Sequence, residues 1–277
     1  MGFFSKLVRV WAYAAMAITG MVIILLFAYV LYQGAGVISW AFITDAPRGA
    51  VLGSEGGIWP AIVGSLWFTG TAVIFSGIPA LATALYLAFY CKSKKVYTLI
   101  RMVIQNIAGI PSIVLGLFSY SLLVRALGLG RCILSGGVAL AIMVFPFIVI
   151  RFEKAMREIP KELIFSSYAL GVSRAYTSTK IVLRAVRGEL VSGLILGACF
   201  AMGATAPLIF TGGVAFATAP TSILTPAMAL PLHLYLLLAQ GTSMPQVYGT
   251  AFVLMVIVLV SNVLATLYAR RDGSTWK

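Results

Sequence analysis

The chain has 277 residues, of which 61% are hydrophobic and only 10% charged, against about 45–50% apolar and about 25% charged residues in soluble domains. No water-soluble globule of this length can hide that much apolar surface, which excludes a soluble enzyme. The 20 Lys and Arg against 7 Asp and Glu give a formal charge of +13, which in a membrane chain marks the cytoplasmic side and not a nucleic-acid partner.

Six stretches are long and apolar enough to cross a bilayer core about 30 Å thick. The first, about Trp11 to Tyr32, follows Lys6 and Arg9 but is too long for a signal-peptide core and lacks a clear A-x-A site, so it is expected to stay on the mature chain. The second runs from about Trp59 to Tyr90 and the third from about Leu99 to Leu127. Both exceed a perpendicular span, and Gly70, Gly77 and Pro79 in one and Gly109-Ile110-Pro111 in the other are candidate breaks. The fourth covers about Ile133 to Ile150, the fifth about Leu190 to Phe210, and the sixth about Val247 to Ala269. With both termini inside, every Lys and Arg except Arg48, Arg125 and Arg131 falls on the cytoplasmic side. Arg125 and Arg131 either attract an anion or anchor helices at the headgroups, the commoner role.

Between the fourth and fifth spans, residues 151–189 form a long inner loop too ordered in pattern for a disordered tail. Pro160 suits a helix start, Gly171 a left-handed C-terminal stop, and Ser173 the cap of a second helix. The result is a helix, a glycine turn and a second helix, a shape that fits a partner's groove. Cys91, Cys132 and Cys199 have no metal-ligand or disulfide spacing and read as small apolar residues. The single histidine, His233, lies between leucines and reads as packed.

The loop resembles the signature of ABC-importer permeases: E-A-A, three residues, G, nine residues, I-x-L-P. Here it reads Phe165-Ser166-Ser167, Gly171, then Ile181-Val182-Leu183-Arg184, with Phe165 and Arg184 in place of the usual Glu and Pro. Gly57-Ile58-Trp59-Pro60, Gly109-Ile110-Pro111-Ser112 and Thr205-Ala206-Pro207-Leu208 narrow the resemblance to the A-type (PstA-like) permeases of phosphate-specific importers. The resemblance runs from about Gly56 to Tyr268. It implies an all-α integral membrane protein, with six transmembrane helices in a type I ABC-importer permease fold and a cytoplasmic coupling helix. Residues 1–55 would form an N-terminal helix and outer loop, and 56–277 the permease core. It further implies Phe165, Ser166, Ser167 and Gly171 as the element docked on an ATPase subunit.

The same resemblance implies a C-type permease as heterodimer partner, an ATPase dimer carrying ATP and Mg, an extracytoplasmic phosphate-binding protein, and a location in the cell inner membrane. No cofactor is expected on this chain. Where the family usually has Arg and Glu on the fifth span, this chain has Phe200 and Ala204, which leaves another oxyanion or a divergent paralogue as the alternative. For the pathway, Ser112 can open a half-helix whose N–H groups face the lumen, and Thr205 and Thr211 can add hydroxyls. The competing reading makes these residues a proline kink with hydroxyls bonded to backbone carbonyls.

No G-x-x-x-x-G-K-[ST] occurs, so the chain has no P-loop of its own. A stand-alone secondary transporter would need a coupling site, yet the spans hold no acidic residue. Their shortage of His, Asp and Glu also argues against an intramembrane enzyme. The segment from Gly212 to Pro245 has no charged residue and four prolines. Such a stretch is expected to pack back at the outer membrane boundary, over the pathway or against the binding protein.

Overall fold

The computed structural model describes residues 3–49 and 51–273, and helices dominate it. In chain order they are α1 (Phe3–Gly34), α2 (Trp40–Thr44), α3 (Trp59–Leu85), α4 (Lys94–Gly109), α5 (Ser112–Ser119), α6 (Ile133–Arg157) and α7 (Lys161–Ala169). The short α8 (Arg174–Tyr176) and α9 (Leu183–Ala185) follow, then α10 (Arg187–Met202), α11 (Ala206–Thr211), α12 (Leu230–Gln240) and α13 (Met244–Gly273). Wider π-type turns extend α3 through Tyr86–Tyr90 and α5 through Tyr120–Ala126, and join α8 to α9. Between α2 and α3 lies a small antiparallel pair, β1 (Pro47–Arg48) with β2 (Glu55–Gly56).

Among the described residues, four helices are long and apolar enough to cross a membrane, namely Ser5–Gly34, Trp59–Tyr90, Ile133–Arg157 and Met244–Ala269. Two bent pairs raise the number to six if each is one span: Lys94–Gly109 with Ser112–Ala126, bent by 100°, and Arg174–Ala185 with Arg187–Met202, bent by 69°. The first bend falls at Gly109-Ile110-Pro111. Proline disfavours helical backbone in the residue before it, and Ile110 is extended, with φ −75° and ψ 129°.

A second interruption lies inside the predicted fifth span, Leu190–Phe210, which the apolar pattern treats as continuous. There α10 stops at Met202 and α11 restarts at Ala206. Pro207 supplies the cause, since it has no N–H for the Gly203 carbonyl and its ring crowds that oxygen. The predicted second span behaves in the opposite way. Gly70, Gly77 and Pro79 do not break α3, which runs unbroken to Leu85. Close neighbours hold it straight: a methyl group on Gly137 of α6 would collide with Thr71, and one on Gly77 would lie 2.8 Å from Leu194 of α10. Packed helices tolerate an internal proline in this way.

The core centres on α6. Leu140, Val144, Ile148 and Phe152 pack with Phe68, Ala72, Ala80, Ala84 and Leu87 of the α3 rod. A second apolar cluster at the far end joins Phe42, Leu52 and Ile58 to Met228, Leu230 and Leu237. The proline-rich segment after α11 supplies part of that cluster by folding back on α3 and α6. Its Thr225 and Ile223 carbonyls accept from the N–H groups of Ile133 and Leu134 at 2.9 and 2.8 Å, satisfying first-turn donors of α6 that have no partner in their own helix. Ser65 Oγ of α3 accepts from Leu230 N at 2.7 Å. At the other end, α6 continues to Arg157, so the predicted inner loop begins about two turns later than Arg151 and Glu153 lies within a helix.

Candidate functional site

The helix–glycine–helix element begins at α7, with Pro160 in the cap position just before it. Its stop is set by Gly171, whose φ of +75° is the left-handed conformation glycine adopts without cost. Two bonds close the turn, from Gly171 N to Tyr168 O at 3.0 Å and from Val172 N to Ser167 O at 3.1 Å. Ser173 Oγ then accepts from Tyr176 N at 3.2 Å and caps α8.

The four docking residues expected from the sequence do not share one face. Phe165 is 64% exposed and Ser166 is exposed beside it, with Leu170 82% exposed at the exit. Ser167 turns inward instead, at 4% exposure. Its hydroxyl donates to Ile164 O at 2.9 Å and lies 2.9 Å from Thr177 Oγ1, which donates to Ser173 O at 3.1 Å. Ser167 is therefore a clasp between the two helices and not a contact surface, because its position on α7 faces the helix that follows.

This element is tied to the bundle by polar bonds. Tyr90 OH lies 3.0 Å from Ser178 Oγ, and Arg174 Nη1 donates to Phe89 O at 3.2 Å. Behind them Glu153, 3% exposed, accepts from Tyr97 OH at 2.8 Å and from Arg157 Nε at 2.7 Å. Arg101 Nη1 donates to Tyr97 OH at 2.9 Å and stands 3.8 Å from the second carboxylate oxygen. Arg157 Nη2 also donates to Leu87 O at 2.9 Å, where the π-type turn ends the α3 rod. One carboxylate thus fastens α3, α4 and α6 together beside the helix–glycine–helix element. Sequence reasoning passed over Glu153, although its spacing of four from Arg157 and its flanking Phe152, Ala155 and Met156 mark a buried ion pair on a helix.

The three expected pathway hydroxyls also part company. Ser112 opens α5 just after the 100° bend, is exposed, and makes no capping bond; Pro111 O accepts from Val114 N and Leu115 N instead. Thr205 precedes α11, is half-buried, and its side chain does not cap that helix. Thr211 is fully buried and donates to Pro207 O at 2.7 Å. The bond to a backbone carbonyl, the competing reading, describes Thr211 and not Ser112. The two breaks meet where Gly116 of α5 approaches α11 so closely that an added methyl would lie 2.9 Å from Pro207 Cα and 3.2 Å from Ala206 O.

Arg131 also makes backbone bonds that the sequence did not indicate. Its Nη2 donates to Ile209 O at 3.1 Å and to Gly213 O, bracketing the end of α11 to the start of α6. Phe200 and Phe147 form a tilted ring pair 6.2 Å apart on the open side of α10 and α6. Ala204 packs against the main core.

Residues 80–271 match the family described as binding-protein-dependent transport system inner membrane component. The chain belongs to that family. It is 34% identical over 209 residues to the probable phosphate transport system permease protein PstA of Methanocaldococcus jannaschii, covering 74% of this chain and 73% of the relative. It is 29% identical over 265 residues to the probable ABC transporter permease protein YqgI of Bacillus subtilis, covering 90% and 89%. In structure it resembles a bacterial alginate ABC transporter, solved with an alginate pentasaccharide-bound periplasmic protein, at a TM-score of 0.65 and 18% identity over 99% of both chains. That likeness carries the fold, the type I permease fold of ABC importers. The chain is accordingly a multi-pass membrane permease, a translocation component of an ABC transporter.

Proposed function

We propose that this permease forms half of an ATP-driven import path for inorganic phosphate, with a C-type permease as the other half. The observation that carries the cargo is its 34% identity, over most of both chains, to a relative named as a phosphate transport permease. Energy comes from a separate ATPase dimer that holds ATP and Mg, and substrate from an extracytoplasmic phosphate-binding protein. No cofactor is bound by this chain. Both termini and the α7–Gly171–α8 element lie on the cytoplasmic side, in keeping with the concentration of Lys and Arg there. Residues 1–55 form an outlying helix and outer loop, and 56–277 the working core.

Coupling passes through α7. Phe165 and Ser166 stand outward to enter a cleft of the ATPase, with Leu170 beside them, while Ser167 and Gly171 hold that surface at a fixed angle to the bundle. Ser112 and Thr205 face the path near the paired helix breaks, and Thr211 serves them from behind by fixing the end of α11.

Phe200 and Ala204, standing where the resemblance expects an Arg and a Glu, favour a second reading in which the cargo is another oxyanion. Labelled phosphate uptake by the reconstituted complex, competed by unlabelled phosphate, sulfate, arsenate and molybdate, separates the two. Phosphate, and arsenate as its close analogue, are expected to compete while sulfate and molybdate do not. Failure of excess unlabelled phosphate to compete would remove the phosphate assignment.

A further inference from the structure

The open seam between α6 and α10 carries a pattern that lipid contact does not explain. Its two helices approach closely: a methyl on Gly197 would lie 2.8 Å from Ile148 Cδ1, and one on Gly193 would lie 3.0 Å from the Phe152 ring and 3.2 Å from Arg151 Cδ. Along the outside of this contact, Phe147 and Phe200 face each other, 44% and 55% exposed. One turn nearer the basic end stands Arg151, its side chain 37% exposed. Arg151 Nη2 donates to Ser192 Oγ at a long 3.4 Å and lies 3.8 Å from Glu189 Oε2. Its buried Nε has no hydrogen-bond partner among the described residues.

Arg151 sits about 27 Å along α6 from Ile133 at 1.5 Å per residue, at the cytoplasmic edge of a hydrocarbon core about 30 Å thick. A guanidinium, a hydroxyl and a carboxylate on one stripe are costly against lipid and belong on a wet or protein-covered face. The guanidinium is loosely held through its Nη2 contacts, and its exposed end is a fork suited to oxyanions. Glu189 is close enough to compete for it, so an arriving anion is bound and then let go, as conduction requires. The two rings on the far side form an apolar constriction, of the kind that closes a narrow path by excluding water.

We propose that this seam is the chain's wall of the anion path, with Phe147 and Phe200 as its constriction and Arg151 as the side chain that receives phosphate, or a like tetrahedral oxyanion, after passage. The proposal rests on the permease reading given above, and its test separates the wall from the cargo.

In the reconstituted complex, with Cys91, Cys132 and Cys199 replaced by Ser, Phe147→Cys and Phe200→Cys are treated with a charged, membrane-impermeant methanethiosulfonate. Ile18→Cys on α1, 63% exposed, serves as the lipid-facing reference. Both seam cysteines are expected to react faster than Ile18→Cys during ATP turnover, and reaction no faster than that reference would overturn the wall assignment whatever the cargo is. Arg151→Gln is expected to raise the KM for phosphate uptake about tenfold, the loss of one charge-assisted hydrogen bond, with Arg151→Lys in between and ATPase co-isolation unchanged. An unaltered KM in both variants would overturn the role of Arg151. Should the unmodified complex move no phosphate, the cargo assignment falls, and thiol reactivity still decides the seam.

Discussion

Ser167 Oγ and Thr177 Oγ1 lie 2.9 Å apart across the Gly171 turn, and both residues are almost fully buried. This hydroxyl pair sets the angle between α7 and the helix that follows. Ser167→Ala leaves Thr177 bonded to Ser173 O and is expected to cost about 1 kcal/mol. Ser167→Leu overpacks the same site and is expected to cost about 1–3 kcal/mol and to weaken ATPase binding without touching the exposed surface. Co-isolation of the ATPase with each variant checks the order. Equal retention in both would show that the clasp does not position the docking surface.

Gly171 has open space where a side chain would stand, so its constraint is conformational and not steric. At φ +75° an L-residue pays about 1–2 kcal/mol. Gly171→Ala is therefore expected to loosen the turn by about that amount, and Gly171→Trp adds bulk beside Leu170 and should release the ATPase. Undiminished association of the Trp variant would count against docking at this element.

Glu153 is the one buried carboxylate among the described residues, and it faces two guanidinium groups. Removing one partner of a buried pair typically costs about 3–5 kcal/mol. The Arg101 and Arg157 side chains are 36% and 46% exposed, so water recovers part of the loss and about 2–3 kcal/mol is expected for Glu153→Leu. Glu153→Gln keeps an acceptor for Tyr97 and should lose less. Thermal unfolding in detergent gives the ranking, and a Leu variant as stable as the Gln variant would contradict it.

Local chemistry made part of this structure readable from residues alone. Gly171, Ser173 and Pro111 act through their own backbone or hydroxyl, so their positions fix a turn, a cap and a bend. The rotation of α7 was not readable, because Leu163, Ile164 and Phe165 are apolar in succession and nine residues give no single apolar stripe. Only the packing of Thr177 decides that Ser167 faces in. The break before α11 was obscured because apolar residues continue across it, although Pro207 carries the cause. Glu153 was hidden by a boundary: once charges begin at Arg151 a span is taken to end, whereas α6 continues because Arg157 neutralises the carboxylate inside the bundle and Tyr97 hydrogen-bonds to it.

Gly64 offers a test of the segment that folds back after α11. A methyl there would strike the Met228 carbonyl oxygen, backbone that cannot swing aside. Gly64→Ala is expected to destabilise by about 1–3 kcal/mol through overpacking and to expose residues 212–229 to proteolysis. Gly20→Ala, with open space around it on α1, is the matched control and should cost nothing. If both variants melt alike, the segment does not pack on α3 as described.

His233 gives the chain a sensitivity to acid. It is 2% exposed on the short α12, and neither ring nitrogen has a partner among the described residues. Burial alone pushes its pKa from 6.5 down to about 4. Between those values the unfolded chain binds more protons than the folded one, so stability rises with pH across that window. The folded state is undiminished by this group above pH 6.5, weakens as pH falls below it, and loses no more once pH is under about 4. His233→Met removes the titrating ring at similar volume and leaves no buried nitrogen unpaired, so at pH 7 it should be neutral or stabilising. Unfolding midpoints in detergent at pH 7 and pH 4.5 are expected to differ more for the unmodified chain than for the variant. Equal pH dependence in the two would mean that His233 is solvated or bonded in the assembled protein.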